Sequence, residues 1–569
     1  MSLAPHIRDI VIHEGFVSEE KLRQLEEKYH DESRTHTAEI LTTEGILSDE
    51  ALYEMVADRL GVSFRALKPQ DVSKELFERF PVALQETHQF VPLKETDHGI
   101  EVATLDPHDI ETKDLIERAT GKEVTYVLTT PSDLGKVLRA HHKGLEESVA
   151  EITTGTHQRI VKDAGKGVST VKLVDAILDS AIVDGASDIH VEPSERDVSI
   201  RFRVDGVLKR VMTLPRSQLS GFVARIKVLS NLKLDEHRLP QDGRFKLATA
   251  QYKVSFRVSI FPVFDGEKIV MRLLDESQRF TSLDQLGLNP SALAMFKRNI
   301  QKPHGMVLVT GPTGSGKTTT LYTALEMLND VKVNISTIED PIEYRLEGVN
   351  QSQVNTKIGF TFAGGLRALL RQDPNIILVG EIRDNETAKI AINAAMTGHL
   401  VLSTLHTNDA VTTLPRMMEM DVPSFLVADT TNIVVAQRLV RRICSECITS
   451  FTPDAALIKN VEAVLRIPSL AKHLEELDVR KTSSDEPLLF YKGKGCATCG
   501  QEGYRGRLGI YEVLEMTPTM RQLILSNASS EQVLEKATSQ GMITMMDDAL
   551  MKSIQGKTTL EEILRVTQE

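Results

Sequence analysis

Gly305-Met306-Val307-Leu308-Val309-Thr310-Gly311-Pro312-Thr313-Gly314-Ser315-Gly316-Lys317-Thr318-Thr319 is the stretch on which the fold turns. Its first six residues are apolar or small without interruption, which predicts a strand buried on both faces. Behind it Leu321, Ala324, Leu325 and Leu328 recur at helical spacing. Between them lies a loop with three glycines and one lysine. Strand, glycine-rich loop and helix in that order form the context that makes a phosphate-binding loop credible. The glycines let successive backbone N–H groups turn inward, and the new helix adds the positive end of its dipole. Lys317 supplies a charge for the β- and γ-phosphates, and the Thr318 hydroxyl a ligand for Mg²⁺. Gly311, Pro312, Thr313, Gly314, Ser315, Gly316, Lys317, Thr318 and Thr319 are therefore the expected binding residues for ATP.

Downstream, apolar strands continue to alternate with helical patterns, which predicts a parallel sheet. Ile376-Ile377-Leu378-Val379 ends in Gly380-Glu381-Ile382-Arg383-Asp384, so Glu381 emerges at the C-terminal edge of a strand, where α/β sites form. Thr337-Ile338-Glu339-Asp340-Pro341-Ile342-Glu343-Tyr344 places a second carboxylate cluster at another strand end, with Pro341 stopping the strand. Glu339 and Glu381 are both candidates to orient the attacking water or to support Mg²⁺, and spacing does not order them. In Thr397-Gly398-His399-Leu400-Val401-Leu402-Ser403-Thr404-Leu405-His406-Thr407-Asn408, His399 and His406 bracket a further strand and suit a γ-phosphate sensor.

These four elements, GPTGSGKT, TIEDPIEY, GEIRD and TGHLVLSTLHTND, resemble in order and wording the type II secretion and type IV pilus assembly ATPases, where they are called Walker A, Asp box, Walker B and His box. The resemblance runs from about Ala186 (ASDIHVEP) to the C-terminus. It implies a RecA-like ATPase core preceded by a PAS-like α+β domain, a homohexamer with ATP between the two, and hydrolysis coupled to an inner-membrane platform protein. It also implies arginines reaching the phosphates from the smaller domain. Arg257 and Arg272 are the first choices, with Arg238 and Arg244 of RLPQDGR in reserve, because a planar guanidinium binds phosphate oxygens bidentately.

Working outward, the whole chain reads as α/β multidomain. Residues 171–275 form the smaller domain, with strands Val198–Val204 and Tyr252–Val258 and a hairpin turn at Asp205-Gly206. Residues 143–170 have the polar, Gly- and Thr-rich composition of a linker. Residues 1–142 are read as an α/β docking domain opened by a helical repeat: Glu14-Gly15-Phe16-Val17-Ser18 is echoed by Glu44-Gly45-Ile46-Leu47-Ser48, each Ser an expected N-cap and each Gly an expected C-cap. This repeat resembles a domain that binds cyclic di-GMP through a motif beginning Arg-Leu-Gly. Here the corresponding positions hold His6-Ile7-Arg8 and His36-Thr37-Ala38, so cyclic di-GMP binding is not expected, and docking on a membrane-associated partner of the machine is.

Within residues 276–569, Cys444-Ser445-Glu446-Cys447 and Cys496-Ala497-Thr498-Cys499 form two CxxC knuckles and account for all 4 cysteines. Two such knuckles complete a tetrahedron around Zn²⁺, which predicts a structural zinc subdomain over about 440–510. The resemblance places this feature in assembly rather than retraction ATPases. A formal charge of −13 disfavours nucleic acid as a partner, so a RecA-like nucleic-acid translocase is the weaker alternative. No apolar run long enough to span a bilayer and no signal-like N-terminus are present, which predicts a cytoplasmic protein reaching the inner membrane through partners.

Overall fold

A computed structural model describes residues 11–13, 16–22, 41, 46–77, 79–80, 84–85, 88–96, 99–141, 170–248, 253–275, 283, 285–477 and 488–568. His6, Ile7, Arg8, His36, Thr37, Ala38, the two repeat glycines and nearly all of the predicted linker lie outside the described residues. The chain divides into two compact units, Met1–Val183 and Asp184–Glu569.

In the first unit, the helix Asp49–Leu60 starts where sequence placed it. The Ser48 hydroxyl accepts from Ala51 N at 3.2 Å, two acidic residues occupy the first turn, and Gly61 ends the helix at φ 67°. Ser18 caps the other repeat copy in the same way, accepting from Lys21 N at 3.3 Å. Strands β1 (Ser63–Phe64), β2 (Phe90–Glu95), β3 (Gly99–Thr104) and β4 (Glu123–Leu128) form one sheet in the order β1-β4-β3-β2. The helix Thr170–Val183 closes the unit.

The second unit opens with six antiparallel strands: β5 (Ala186–Pro193), β6 (Asp197–Val204), β7 (Val207–Pro215), β8 (Gln241–Ala248), β9 (Lys253–Val263) and β10 (Gly266–Asp275). Their order is β7-β6-β5-β10-β9-β8. The expected hairpin turn joins β6 to β7, with Asp205 at φ 48° and Gly206 at φ 87°, the left-handed pair that a two-residue turn requires.

The rest of this unit is built on a seven-stranded sheet. It contains β11 (Gly305–Thr310), β12 (Ile335–Glu339), β13 (Val349–Gln353), β14 (Ile376–Val379), β15 (Leu400–Leu405), β16 (Thr431–Ile443) and β19 (Tyr504–Glu515), in the order β13-β12-β14-β15-β11-β16-β19. Six strands run parallel, as predicted. β19 is antiparallel to β16, because the chain leaves β16 into the cysteine region and returns along the same edge. That excursion carries the short ribbon β17 (Ile448–Phe451) and β18 (Phe490–Gly493).

Both sheet faces are covered. Met306 and Leu308 point into one core cluster, and Val307 and Val309 into another, all fully buried. This is the two-sided burial that the unbroken apolar run implied. Among the described residues, no helix is long and apolar enough to cross a membrane.

Candidate functional site

The loop after β11 is shaped by its glycines. Gly311 stands at φ 144°, and a Cβ there would lie 2.3 Å from the Gln437 carbonyl oxygen, so no other residue fits. Gly314 and Gly316 also hold positive φ, at 81° and 88°. The helix Lys317–Leu328 begins directly behind. From β16, the buried Gln437 pins the loop: its Nε2 donates to Ser315 O at 2.7 Å and its Oε1 accepts from Thr320 Oγ1 at 2.7 Å.

Pro312 to Thr319 line a cavity of about 810 Å³, whereas Gly311, also an expected binding residue, does not line it. Lys317 Nζ donates to the Gly311 and Pro312 carbonyls at 2.8 and 3.0 Å, so the loop's own oxygens hold the ammonium group. Burial lowers its pKa to about 8, against an opposing pull from Glu381. Bound phosphate stabilises the charged form and raises that pKa. Below about pH 8 the free lysine is already protonated and ATP affinity is flat. Above it, binding must take up a proton. We expect the dissociation constant for ATP to rise about fivefold between pH 8 and pH 9, as titration calorimetry across that range would show.

The two carboxylates take different surroundings. Glu339, at the end of β12, is 3% exposed and accepts from three side chains: Tyr322 Oη, Thr337 Oγ1 at 2.6 Å and Gln351 Nε2 at 3.2 Å. Burial raises its pKa, and the donors pull the other way. Glu381, just past β14, faces His406 Nε2 at 3.2 Å and Arg383 Nε at 2.6 Å. Glu339, Glu381 and His406 all line the cavity together with Thr318. A hydroxyl and two carboxylates lining one cavity are an oxygen donor set suited to a hard dication, so these residue types fit Mg²⁺.

His399 does not join them. It precedes β15, whose Leu400 pairs with Gly305 at the start of β11, whereas Leu405 pairs with Thr310 at the loop. A strand of six residues, about 20 Å, separates the two histidines. His399 Nδ1 instead lies 2.9 Å from Ala394 O, at the helix end before β15. Of the two histidines expected to meet the γ-phosphate, only His406 lines the cavity.

The arginine expectation also divides. Arg272 lines the cavity, with its Nε 3.0 Å from Asp188 Oδ1. Arg257, its cross-strand partner, does not line it. Its Nη2 donates to Ile342 O at 2.6 Å and its Nη1 pairs with Glu343 at 2.8 Å. Arg238 and Arg244 do not line it either. Arg203, Arg383, Arg438, Arg507 and Arg565 do, and sequence reading missed all five as site residues. Arg203 had a legible signal, standing just before the predicted Asp-Gly turn. Arg438 and Arg507 had none, because antiparallel pairing of β16 with β19 brings them together from distant segments.

The four cysteines converge. All four sulfurs lie within 4.8 Å of one another, with Cys444–Cys496 at 3.8 Å, Cys447–Cys499 at 3.9 Å and Cys496–Cys499 at 3.7 Å. A tetrahedron with Zn–S bonds of about 2.3 Å has edges of about 3.8 Å, so the donor set fits zinc. Backbone amides support it: Gly503 N donates to Cys499 Sγ at 3.2 Å. Elemental analysis should find one zinc for this four-thiolate site, and Cys496→Ser should lose the metal and lower the melting temperature. Full retention of zinc by that variant would contradict the assignment.

Residues 163–565 match the family described as Type II/IV secretion system protein, and residues 60–148 match the MshEN domain. The chain is 37% identical over 577 residues to the Type IV pilus assembly ATPase PilB of Myxococcus xanthus, covering 99% of each. It is 46% identical over 399 residues to the Type II secretion system ATPase E of Vibrio cholerae, covering 70% of this chain and 75% of that one. Among solved structures, the ATPase DotB of Legionella pneumophila aligns with TM-score 0.50 at 22% identity, covering 72% of this chain and 98% of that chain. DotB of Yersinia pseudotuberculosis aligns with TM-score 0.51 at 22% identity, covering 70% and 94%. These structures share the fold of the second unit's ATPase core.

Proposed function

This chain belongs to the Type II/IV secretion system ATPase family, and from that premise we propose that it hydrolyses ATP in the cavity above β11 to drive assembly of a type IV pilus or a type II secretion pseudopilus. One observation carries the reading of the site: Lys317, Thr318, Glu339, Glu381 and His406, from separate strand ends, line a single cavity.

In this reading the loop amides and Lys317 hold the β- and γ-phosphates, and Glu381 accepts the proton of the attacking water. Glu339, already satisfied by three donors, is the rigid support on the other side. His406, set by Glu381, reads the γ-phosphate. Thr318, with Glu339 and Glu381 beside it, would hold Mg²⁺, which would neutralise phosphate charge. Arg203 and Arg272 approach the same cavity from the six-stranded sheet, the PAS-like domain of this proposal, and replace Arg257 as its phosphate-facing arginines.

Closure of the two sheets on ATP, and reopening after phosphate release, supplies a motor stroke if the closed form binds ATP more tightly. We place this stroke in a homohexamer working at the cytoplasmic face of the inner membrane, against a platform protein. Residues 1–142 are the docking domain, and cyclic di-GMP is not its proposed ligand. The nucleic-acid alternative finds no support among the relatives. Purified protein should release phosphate from MgATP at a rate that added DNA leaves unchanged. DNA stimulation would restore the translocase reading, and absence of phosphate release would remove the motor.

A further inference from the structure

The segment from Cys499 to Arg507 has the cysteine cluster at one end and the nucleotide cavity at the other. Glu502 N donates to Cys499 O at 3.2 Å, Gly503 N donates to Cys499 Sγ at 3.2 Å, and Cys444 N donates to Gly503 O at 3.0 Å. The knuckle thus fixes Glu502 and Gly503 in space. Four residues later, Arg507 lines the cavity.

Facing this segment are the end of β6 and its turn into β7, where Arg203, Asp205 and Gly206 line the same cavity. Two polar contacts join them. Gly506 N donates to Asp205 Oδ2 at 3.0 Å, and Lys209 Nζ pairs with Glu502 Oε1 at 2.8 Å. The left-handed conformation of Asp205, φ 48°, sets the turn from which its carboxylate meets Gly506. Lys209 and Glu502 are 35% and 43% exposed, and neither lines the cavity.

We infer that Lys209, Glu502 and Asp205 form a latch through which the cysteine knuckle positions the cavity wall carrying Arg203 and Arg507. Nucleotide affinity then depends in part on the Lys209–Glu502 pair, which lies outside the cavity lining. The six-stranded sheet and the ATPase core lie in one unit joined on this side by the latch, and an opening motion between them must break it. The inference rests on the nucleotide reading of the cavity, and Lys209 and Glu502 are positioning residues within it.

Charge reversal separates the latch from an ordinary surface ion pair, which contributes little. In the full-length protein, Lys209→Glu sets two carboxylates against each other. It should weaken binding of a fluorescent ATP analogue about fivefold. It should also speed amide hydrogen exchange in residues 204–208 and 502–507 while leaving the zinc content unchanged. The double variant Lys209→Glu with Glu502→Lys should restore both readouts to within about twofold.

Unchanged exchange in the single variant, or a double variant as weak as the single one, would overturn the latch. If the wild-type protein bound no nucleotide at all, the reading of the cavity would fail, while the exchange measurement would still decide whether the latch exists.

Discussion

Lys317→Ala is expected to weaken ATP binding at least about 100-fold at pH 7, roughly 2.7 kcal/mol, and to bring phosphate release to background. The magnitude follows from the position of the ammonium group. Among the described residues it is the one lysine lining the cavity, it sits at the first turn of the helix behind the loop, and burial makes its charge count for more than a surface charge would. Alanine also removes the donor that the Gly311 and Pro312 carbonyls share, so part of the loss is a looser loop. The melting temperature of the nucleotide-free variant separates the two effects. An unchanged melting temperature with lost binding assigns the loss to phosphate contact, and a variant that still hydrolyses ATP at the wild-type rate contradicts the role of Lys317.

Glu381→Gln should retain nucleotide and lose turnover, with kcat down about 10² to 10⁴-fold and KM little changed. The amide keeps the shape of the carboxylate and an acceptor for Arg383, so the cavity wall stays in place, while the negative charge and with it the capacity to take a proton go. Glu339→Gln makes a useful contrast. Both Glu339 oxygens are occupied, and an amide nitrogen placed among Tyr322, Thr337 and Gln351 turns one acceptor into a donor facing another donor. A buried mismatch of this kind costs about 1–3 kcal/mol. Glu339→Gln should therefore lower the melting temperature, whereas Glu381→Gln should not. Wild-type turnover in Glu381→Gln, together with loss of turnover at unchanged stability in Glu339→Gln, would exchange the two roles.

Local patterns made much of this legible. The strand, loop and helix from Gly305 to Leu328 were readable because an unbroken apolar run, three glycines and a helical period each point the same way. The strand Glu123–Leu128 and the cap at Ser48 rest on equally local physics. The two CxxC knuckles were readable despite 48 intervening residues, since thiol chemistry needs no sequence proximity.

What escaped was set by partners far along the chain. Gln437 looks like the polar residue that ends the apolar run Ile433-Val434-Val435-Ala436, yet it secures the loop from the neighbouring strand. Tyr322 resembles an ordinary core position and proves to be a donor to Glu339. His399 and His406 look equivalent in a linear motif, but a parallel sheet puts the two ends of a strand on opposite edges, and only one edge carries the site. Arg257 and Arg272 are cross-strand partners on one face of the sheet, and what separates them is the partner each guanidinium finds, Ile342 and Glu343 for Arg257 and Asp188 for Arg272, all distant in sequence.

Titration of the purified full-length protein with a fluorescent ATP analogue in the presence of magnesium tests the central claim most directly. The cradle of loop amides and Lys317 predicts saturable binding of one nucleotide per chain, displaced by unlabelled ATP. Protein that retains its fold, shows no saturable signal and gives up nothing to ATP would contradict the account.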